Sequence, residues 1–206
     1  MLTAFTAGLL LITVSELGDK TFFIAVILAM KHSRRLVFMG VASALAAMTI
    51  LSVLFGQVVS LLPKFYIHYA AIALFIIFGI KLLYAASKMP ASTCDTEVVD
   101  EAKAAVEKAD SQLPKRQTPL AIFLEAFALT FVAEWGDRTQ IATIALAARH
   151  NPIGVAAGAV LGHAICTAIA VIGGRMIAGR ISERQLTFAG GCLFLLFGIL
   201  AAVEGV

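Results

Sequence analysis

Six long apolar stretches divide the chain, at about 2–30, 36–61, 66–87, 119–148, 152–174 and 186–204. Each is long enough for a helix to cross a hydrocarbon core of about 30 Å, the shortest only barely. The pattern predicts an all-α integral membrane protein with six transmembrane helices. Between the third and fourth stretches the character changes. Pro90, Ser92 and Thr93 end the third span, "DTEVVDEAKAAVEKAD" has the Ala, Glu and Lys content of a solvated helix, and Pro114 and Pro119 close it. Segment 89–118 reads as a spacer; an ion-collecting or regulatory role for Asp95, Glu97, Asp100 and Glu101 is the alternative.

Two of the apolar stretches are interrupted by the same charged word, "SELGDKTF" from Ser15 and "AEWGDRTQ" from Ala133. Sliding the second half back by 118 residues superposes Phe5 on Phe123, Glu16 on Glu134, Gly18 on Gly136, Asp19 on Asp137, Gly40 on Gly158 and Thr49 on Thr167. One further residue of shift aligns "LFIIFGI" from Leu74 with "LFLLFGI" from Leu193. This is an internal duplication. Residues 1–88 and 119–206 each carry three spans, an odd number, so the expected arrangement is two inverted three-helix repeats. Such repeats characterise secondary transporters, with the site near the midplane where they meet.

Composition agrees: 60% of residues are hydrophobic, 14% charged, and the mean hydropathy is +0.93, more apolar surface than a soluble domain of this size can hide. The N-terminus lacks a basic region and a cleavage site, so it reads as a retained first helix. Cys94, Cys166 and Cys192 have no metal-site or disulfide spacing. The net charge of +3 gains meaning from its placement. One set of loops holds Lys31, Arg34, Arg35, the segment from Lys81 to Arg116, Arg175, Arg180 and Arg184; the other holds only Lys64 and Arg149. The positive-inside rule then expects a cytoplasmic central loop, both termini outside and, for a bacterial chain, residence in the cell inner membrane.

Glu16, Asp19, Glu134 and Asp137 lie near the middle of the first and fourth spans. An acid at the centre of a lone spanning helix costs about 3 kcal/mol, and four acids with two bases roughly 15–20 kcal/mol before pairing. Glu16–Lys20 and Glu134–Arg138 are i,i+4 pairs that offset part of this, and a purely structural salt-bridge lock is one reading. Acids at i and i+3 also share a face and can point at one object. Gly18 and Gly136 let a backbone approach or the helix loosen. Spans of about 29 residues, roughly 43 Å long, must tilt, bend or break, and a break frees carbonyl oxygens. Four carboxylates less Lys20 and Arg138 leave −2, matching a divalent cation. Oxygen donors, including the Ser15, Thr21 and Thr139 hydroxyls and the Gln140 amide, suit Mn²⁺, Ca²⁺ or Mg²⁺ rather than copper or zinc. Emptied of metal, crowded carboxylates take up protons instead.

"ELGDKT" and "EWGDRTQ" resemble the doubled E-x-G-D-(K/R)-(T/S) signature of the membrane family of Mn²⁺/Ca²⁺–proton antiporters, which has Golgi, chloroplast and bacterial members. The resemblance covers the whole chain and extends through "AEWGDRTQIATIALAARHNPIGVAAGAVLGHAICTAIAVIGGRMIAGRIS". It implies that Glu16, Asp19, Glu134 and Asp137 handle the ion, that Lys20 and Arg138 are their charge partners, and that Gln140 is a supporting polar group. The implied activity is export of Mn²⁺, with Ca²⁺ as a second cargo, in exchange for protons, as in a bacterial manganese exporter.

Glu125, whose repeat counterpart is Ala7, and His163, whose counterpart is Leu45, are candidate proton relays, against the alternatives of a snorkelling acid and a hydrogen-bonded core histidine. His32 and His150 read as markers of the membrane interface. A passive divalent-cation channel is disfavoured by Lys20 and Arg138 and by only two motif copies; a small amino-acid exporter of similar architecture stays open. No HExxH, GxSxG or phosphoryl-transfer cluster supports an enzyme. No resident cofactor is expected: the partners are membrane lipid, a divalent cation as cargo and protons as counter-ion, without nucleic acid, and as a monomer or homodimer.

Overall fold

The computed structural model describes residues 1–89, 96–110, 118–177 and 183–204. Pro90, Ser92, Thr93, Cys94, Asp95, Pro114, Arg116 and Arg180 lie outside them, as do the side chains of Glu97 and Arg175. The described residues are helical throughout: α1 (Leu2–Glu16), α2 (Lys20–Lys31), α3 (Arg34–Val59), α4 (Lys64–Lys88), α5 (Thr96–Asp110), α6 (Pro119–Ala133), α7 (Arg138–Arg149), α8 (Pro152–Ile177) and α9 (Glu183–Glu204).

Local chemistry sets several starts. Thr118 caps α6 by accepting the Ala121 N–H at 3.2 Å, with Pro119 in the first turn where its missing N–H costs nothing. Asn151 accepts the Gly154 N–H at 2.9 Å ahead of Pro152. The stretches at 2–30 and 119–148, expected as single spans, are each two helices broken at the charged word. Four helices are long and apolar enough to cross a membrane: α3, α4, residues 152–173 of α8 and residues 184–203 of α9. The pair α6–α7, bent by 75°, makes a fifth if taken as one span. Helix α1, at 15 residues, reaches only about 22 Å by itself.

Contacts recur in reciprocal form under the 118-residue shift. A Cβ at Gly40 on α3 would sit 2.7 Å from the Phe123 carbonyl oxygen on α6; at the counterpart Gly158 on α8 it would collide with the carbonyl oxygen of Phe5 on α1. Only glycine permits such backbone approach, which binds α3 to α6 and α1 to α8. Under the 119-residue shift of the last spans, Gly79 on α4 touches Leu195 on α9, while Gly198 on α9 touches Ile76 on α4.

The molecule is apolar outside and partly polar inside. Leu54, Phe55, Ile77, Ile80, Val132, Ile172 and Ile199 are exposed, whereas Glu16, Thr21, Ser52, Glu125, Glu134, Thr139, Thr143 and His163 are buried. Lipid solvates the former, and the latter are the expensive groups a membrane protein keeps for function. Helix α5 is no detached spacer. It packs on α2 and α6, and its Ala102 and Val106 are fully buried in one apolar cluster with Phe22, Leu28, Val41 and Ala126.

Candidate ion site at two broken helices

Both breaks are made by the same backbone turn. Gly18 and Gly136 each have φ 81°, and among the described residues no non-glycine has positive φ. A side chain there costs about 1–2 kcal/mol, so the glycine of each word is dictated by the turn. The turn closes when the Asp19 N–H donates to the Glu16 carbonyl at 3.3 Å and the Asp137 N–H to the Glu134 carbonyl at 3.2 Å. Asp19 and Asp137 thereby become the residues that open α2 and α7, where the positive end of the helix favours a carboxylate.

Folding brings the two words together. One carboxylate oxygen from each of Glu16, Asp19 and Asp137 lies within 4.8 Å of the others. An ion between them would be at most about 2.8 Å from each, against about 2.3–2.6 Å for Ca²⁺–oxygen bonds, a small contraction. The Arg138 guanidinium stands 3.5 Å from Asp19 Oδ1, pairing the second word with the first. Glu16 is only 2% exposed; its Oε2 accepts the Thr21 hydroxyl at 3.4 Å, while its buried Oε1 has no hydrogen-bond partner among the described residues. Asp137 Oδ2 accepts the Thr139 hydroxyl at 3.1 Å and its N–H at 3.5 Å. The Thr139 side chain also faces Glu16, and Thr21 faces Glu134, so each word places a hydroxyl beside the other's glutamate.

Glu134 is buried but stands outside the group of three. It lines a small chamber with Thr139, Gln140, Thr143 and His163 and with Thr49 and Ser52 of α3. Ser15 lies beside Gly18, Asp19 and Arg138 in a cavity of about 210 Å³ that reaches Met89 just past α4 and Leu186 of α9. Gln140 serves the turn, its Oε1 accepting the Gly136 N–H at 2.7 Å.

The intrahelical pairs expected from i,i+4 spacing do not form, because α1 stops at Glu16 and α6 at Ala133. Lys20 instead meets Glu101 of α5 at 3.1 Å, and Arg138 meets Asp19. Likewise a shared helix face does not unite Glu16 with Asp19; the turn does. Glu125 is buried outside the group of three acids, its Oε2 3.9 Å from His32 Nε2, so His32 is more than an interface marker. Sequence reasoning passed over Thr49, Ser52 and Thr143. The i,i+3 hydroxyls at 49 and 52 on an otherwise apolar span were the available signal.

The comparisons with known proteins converge. A family model described as "Divalent cation/proton antiporter GDT1" matches residues 4–90 and 122–206. A GDT1-like protein of Synechocystis is 60% identical over 201 residues, covering 98% of this chain and 97% of its own. GDT1-like protein 3 of Oryza sativa subsp. indica is 46% identical, covering 95% and 72% respectively. No solved structure matches. The model spans both words and most of each half, and family members are transporters rather than enzymes: the chain belongs to the GDT1 family of divalent cation/proton antiporters.

Proposed function

We propose that this protein exports divalent cations from the cytoplasm, Mn²⁺ first and Ca²⁺ second, across the cell inner membrane in exchange for protons. The observation that carries this reading is the group Glu16, Asp19 and Asp137 with Arg138 beside it. Its donors are hard oxygens, and three carboxylates against one guanidinium leave the −2 that a divalent ion neutralises. With Lys20 turned to Glu101, the lysine does not compete for the same acids. Protons replacing the metal on these oxygens complete the exchange cycle.

In this reading each broken pair counts as one span, giving six spans as two inverted repeats, 1–88 and 119–206, an arrangement supported by the reciprocal glycine contacts. Both termini then face outside and segment 89–118 the cytoplasm. The cavity beside Ser15, Asp19 and Arg138, toward the ends of α4 and α9 nearest that segment, is the route of metal entry. Glu125 with His32 lies on the same side as a proton relay.

Purified protein in proteoliposomes with a lumenal pH dye tests this directly, with Mn²⁺, Ca²⁺, Mg²⁺ and Zn²⁺ added in turn. The expected result is proton movement driven best by Mn²⁺ and lost in Asp19→Asn/Asp137→Asn. Metal flux with no proton signal would overturn the coupling, and a preference for Mg²⁺ over Mn²⁺ would overturn the assignment of the cargo.

A further inference from the structure

The chamber that Glu134 lines has the chemistry of a second binding site. It holds about 10 Å³, room for one water-sized occupant. Its hydroxyls point their hydrogens elsewhere: Thr49 donates to the Leu45 carbonyl at 2.9 Å, Ser52 to the Met48 carbonyl at 2.7 Å and Thr143 to the Thr139 carbonyl at 2.7 Å. What those oxygens offer the chamber is lone pairs. The Thr139 hydroxyl is likewise committed to Asp137, and the Gln140 carbonyl oxygen to the Gly136 N–H. The remaining walls are the apolar Leu45 and Met48 and His163, which is 6% exposed and whose buried Nδ1 has no hydrogen-bond partner among the described residues. In its unprotonated form this nitrogen, on a residue that lines the same chamber as Glu134 and the hydroxyls, is an electron-pair donor like them, and together they suit a cation.

The repeat does not impose this polarity. Under the 118-residue shift, His163, Thr143 and Gln140 correspond to Leu45, Ala25 and Phe22, and Ser52 corresponds to Ala170. All four counterparts sit in the apolar cluster that also holds Val41 and Ala126. At these four positions one half of the molecule holds hydrocarbon where the other holds polar groups, while Glu134, Thr139 and Thr49 keep the polar counterparts Glu16, Thr21 and Thr167.

We propose that Glu134, His163 and the hydroxyl oxygens of Thr49, Ser52 and Thr143 form a second cation site that selects first-row transition-metal ions such as Mn²⁺ over Ca²⁺ and Mg²⁺. It rests on the exporter reading above and adds to it a station where the cargo is chosen. Ca²⁺ and Mg²⁺ take oxygen ligands almost exclusively, whereas a transition ion gains from an imidazole nitrogen. The Glu16–Asp19–Asp137 group, made of oxygen alone, does not distinguish Mn²⁺ from Ca²⁺ in this way. Discrimination therefore falls to His163.

Pulsed EPR of Mn²⁺ bound to the full-length protein in nanodiscs reads the site without transport, through ¹⁴N modulation from a ligating imidazole. The variants are His163→Gln, which replaces the nitrogen with an amide of similar size, and His163→Leu, which copies the residue of the other repeat. The expected result is ¹⁴N modulation in the wild type, lost in both variants. The Mn²⁺-to-Ca²⁺ ratio of exchange rates in proteoliposomes should fall at least about tenfold. Absence of ¹⁴N modulation in the wild type, or an unchanged ratio in a monodisperse His163→Gln protein, would overturn the assignment. Nitrogen coupling in a protein that moves no protons would support the site and sink the exporter reading, so the two fail separately.

Discussion

The two copies of the charged word share a backbone and differ in wiring. At the first, Gly18 is buried and a Cβ there would meet Leu186 Cδ1 at 2.7 Å; at the second, Gly136 is exposed with nothing within 4 Å. Asp19 makes no side-chain cap and is answered by Arg138, whereas Asp137 caps its own helix through Thr139. The first base, Lys20, leaves the site for α5, and the second, Arg138, crosses into it. Gln140 serves the second turn where its counterpart is the buried Phe22. Duplication thus supplies the turn and the acids, and divergence around them decides which acids converge, which lines the His163 chamber, and where each base goes.

The largest expected effect comes from the acids, where the two copies should behave alike. Asp19→Asn and Asp137→Asn should each lower Mn²⁺/proton exchange by about 100-fold or more, since each removes one of three charged ligands from a buried group. Exchange rates in proteoliposomes decide it; near-normal rates in either would show that the group of three is not the site. Stability should separate them. Asp137→Asn keeps an acceptor for the Thr139 N–H and should melt near the wild type, while Asp19→Asn leaves Arg138 without its partner and should melt lower. Next come the glycines. Gly18→Ala and Gly136→Ala should each cost about 1–2 kcal/mol of stability from positive φ alone. Gly18→Ala should cost more, because Leu186 must also shift. Equal melting temperatures would mean that Leu186 gives way freely.

Much of this was legible in the chain because it rests on local rules. Apolar runs of sufficient length, a word repeated at a shift of 118, and acids where lipid punishes them lead to a membrane transporter and to four carboxylates, three of which the fold brings together. The helix break was legible only as a requirement on length, since 29 apolar residues can tilt as well as snap. Which acids converge was not legible. Glu16 and Glu134 are equivalent under the repeat, yet only Glu16 joins Asp19 and Asp137, because the partner of each is set by helices far away in sequence. For the same reason i,i+4 spacing misassigned Lys20 and Arg138. A helical rule was applied across a turn that is not helical. Helix α5 was misjudged because its charges suggest solvent, while its small apolar positions Ala102 and Val106 fit closely against α2 and α6.

Smaller effects probe the divergent wiring. Gln140→Leu removes the acceptor of the Gly136 N–H and makes the second turn resemble the first. As that N–H is exposed, the cost should be about 1 kcal/mol or less, read as a modest fall in melting temperature. A large fall would mean the second turn needs its side-chain support in a way the first does not. The smallest effect should come from the pair that ties the first word to α5. Lys20 and Glu101 are 41% and 57% exposed at the side chain, so a double-mutant cycle of Lys20→Ala and Glu101→Ala should give a coupling of about 0.5 kcal/mol in stability. Were the pair only a surface contact, exchange rates would follow stability and stay near the wild type in Glu101→Ala. If the pair instead keeps Lys20 away from Asp19, Glu101→Ala frees the ammonium to approach the carboxylates, and the affinity for Mn²⁺ falls while the melting temperature hardly moves. Lys20→Ala in the same background should then restore it, since with no ammonium left to hold back, the absence of Glu101 has nothing to act on.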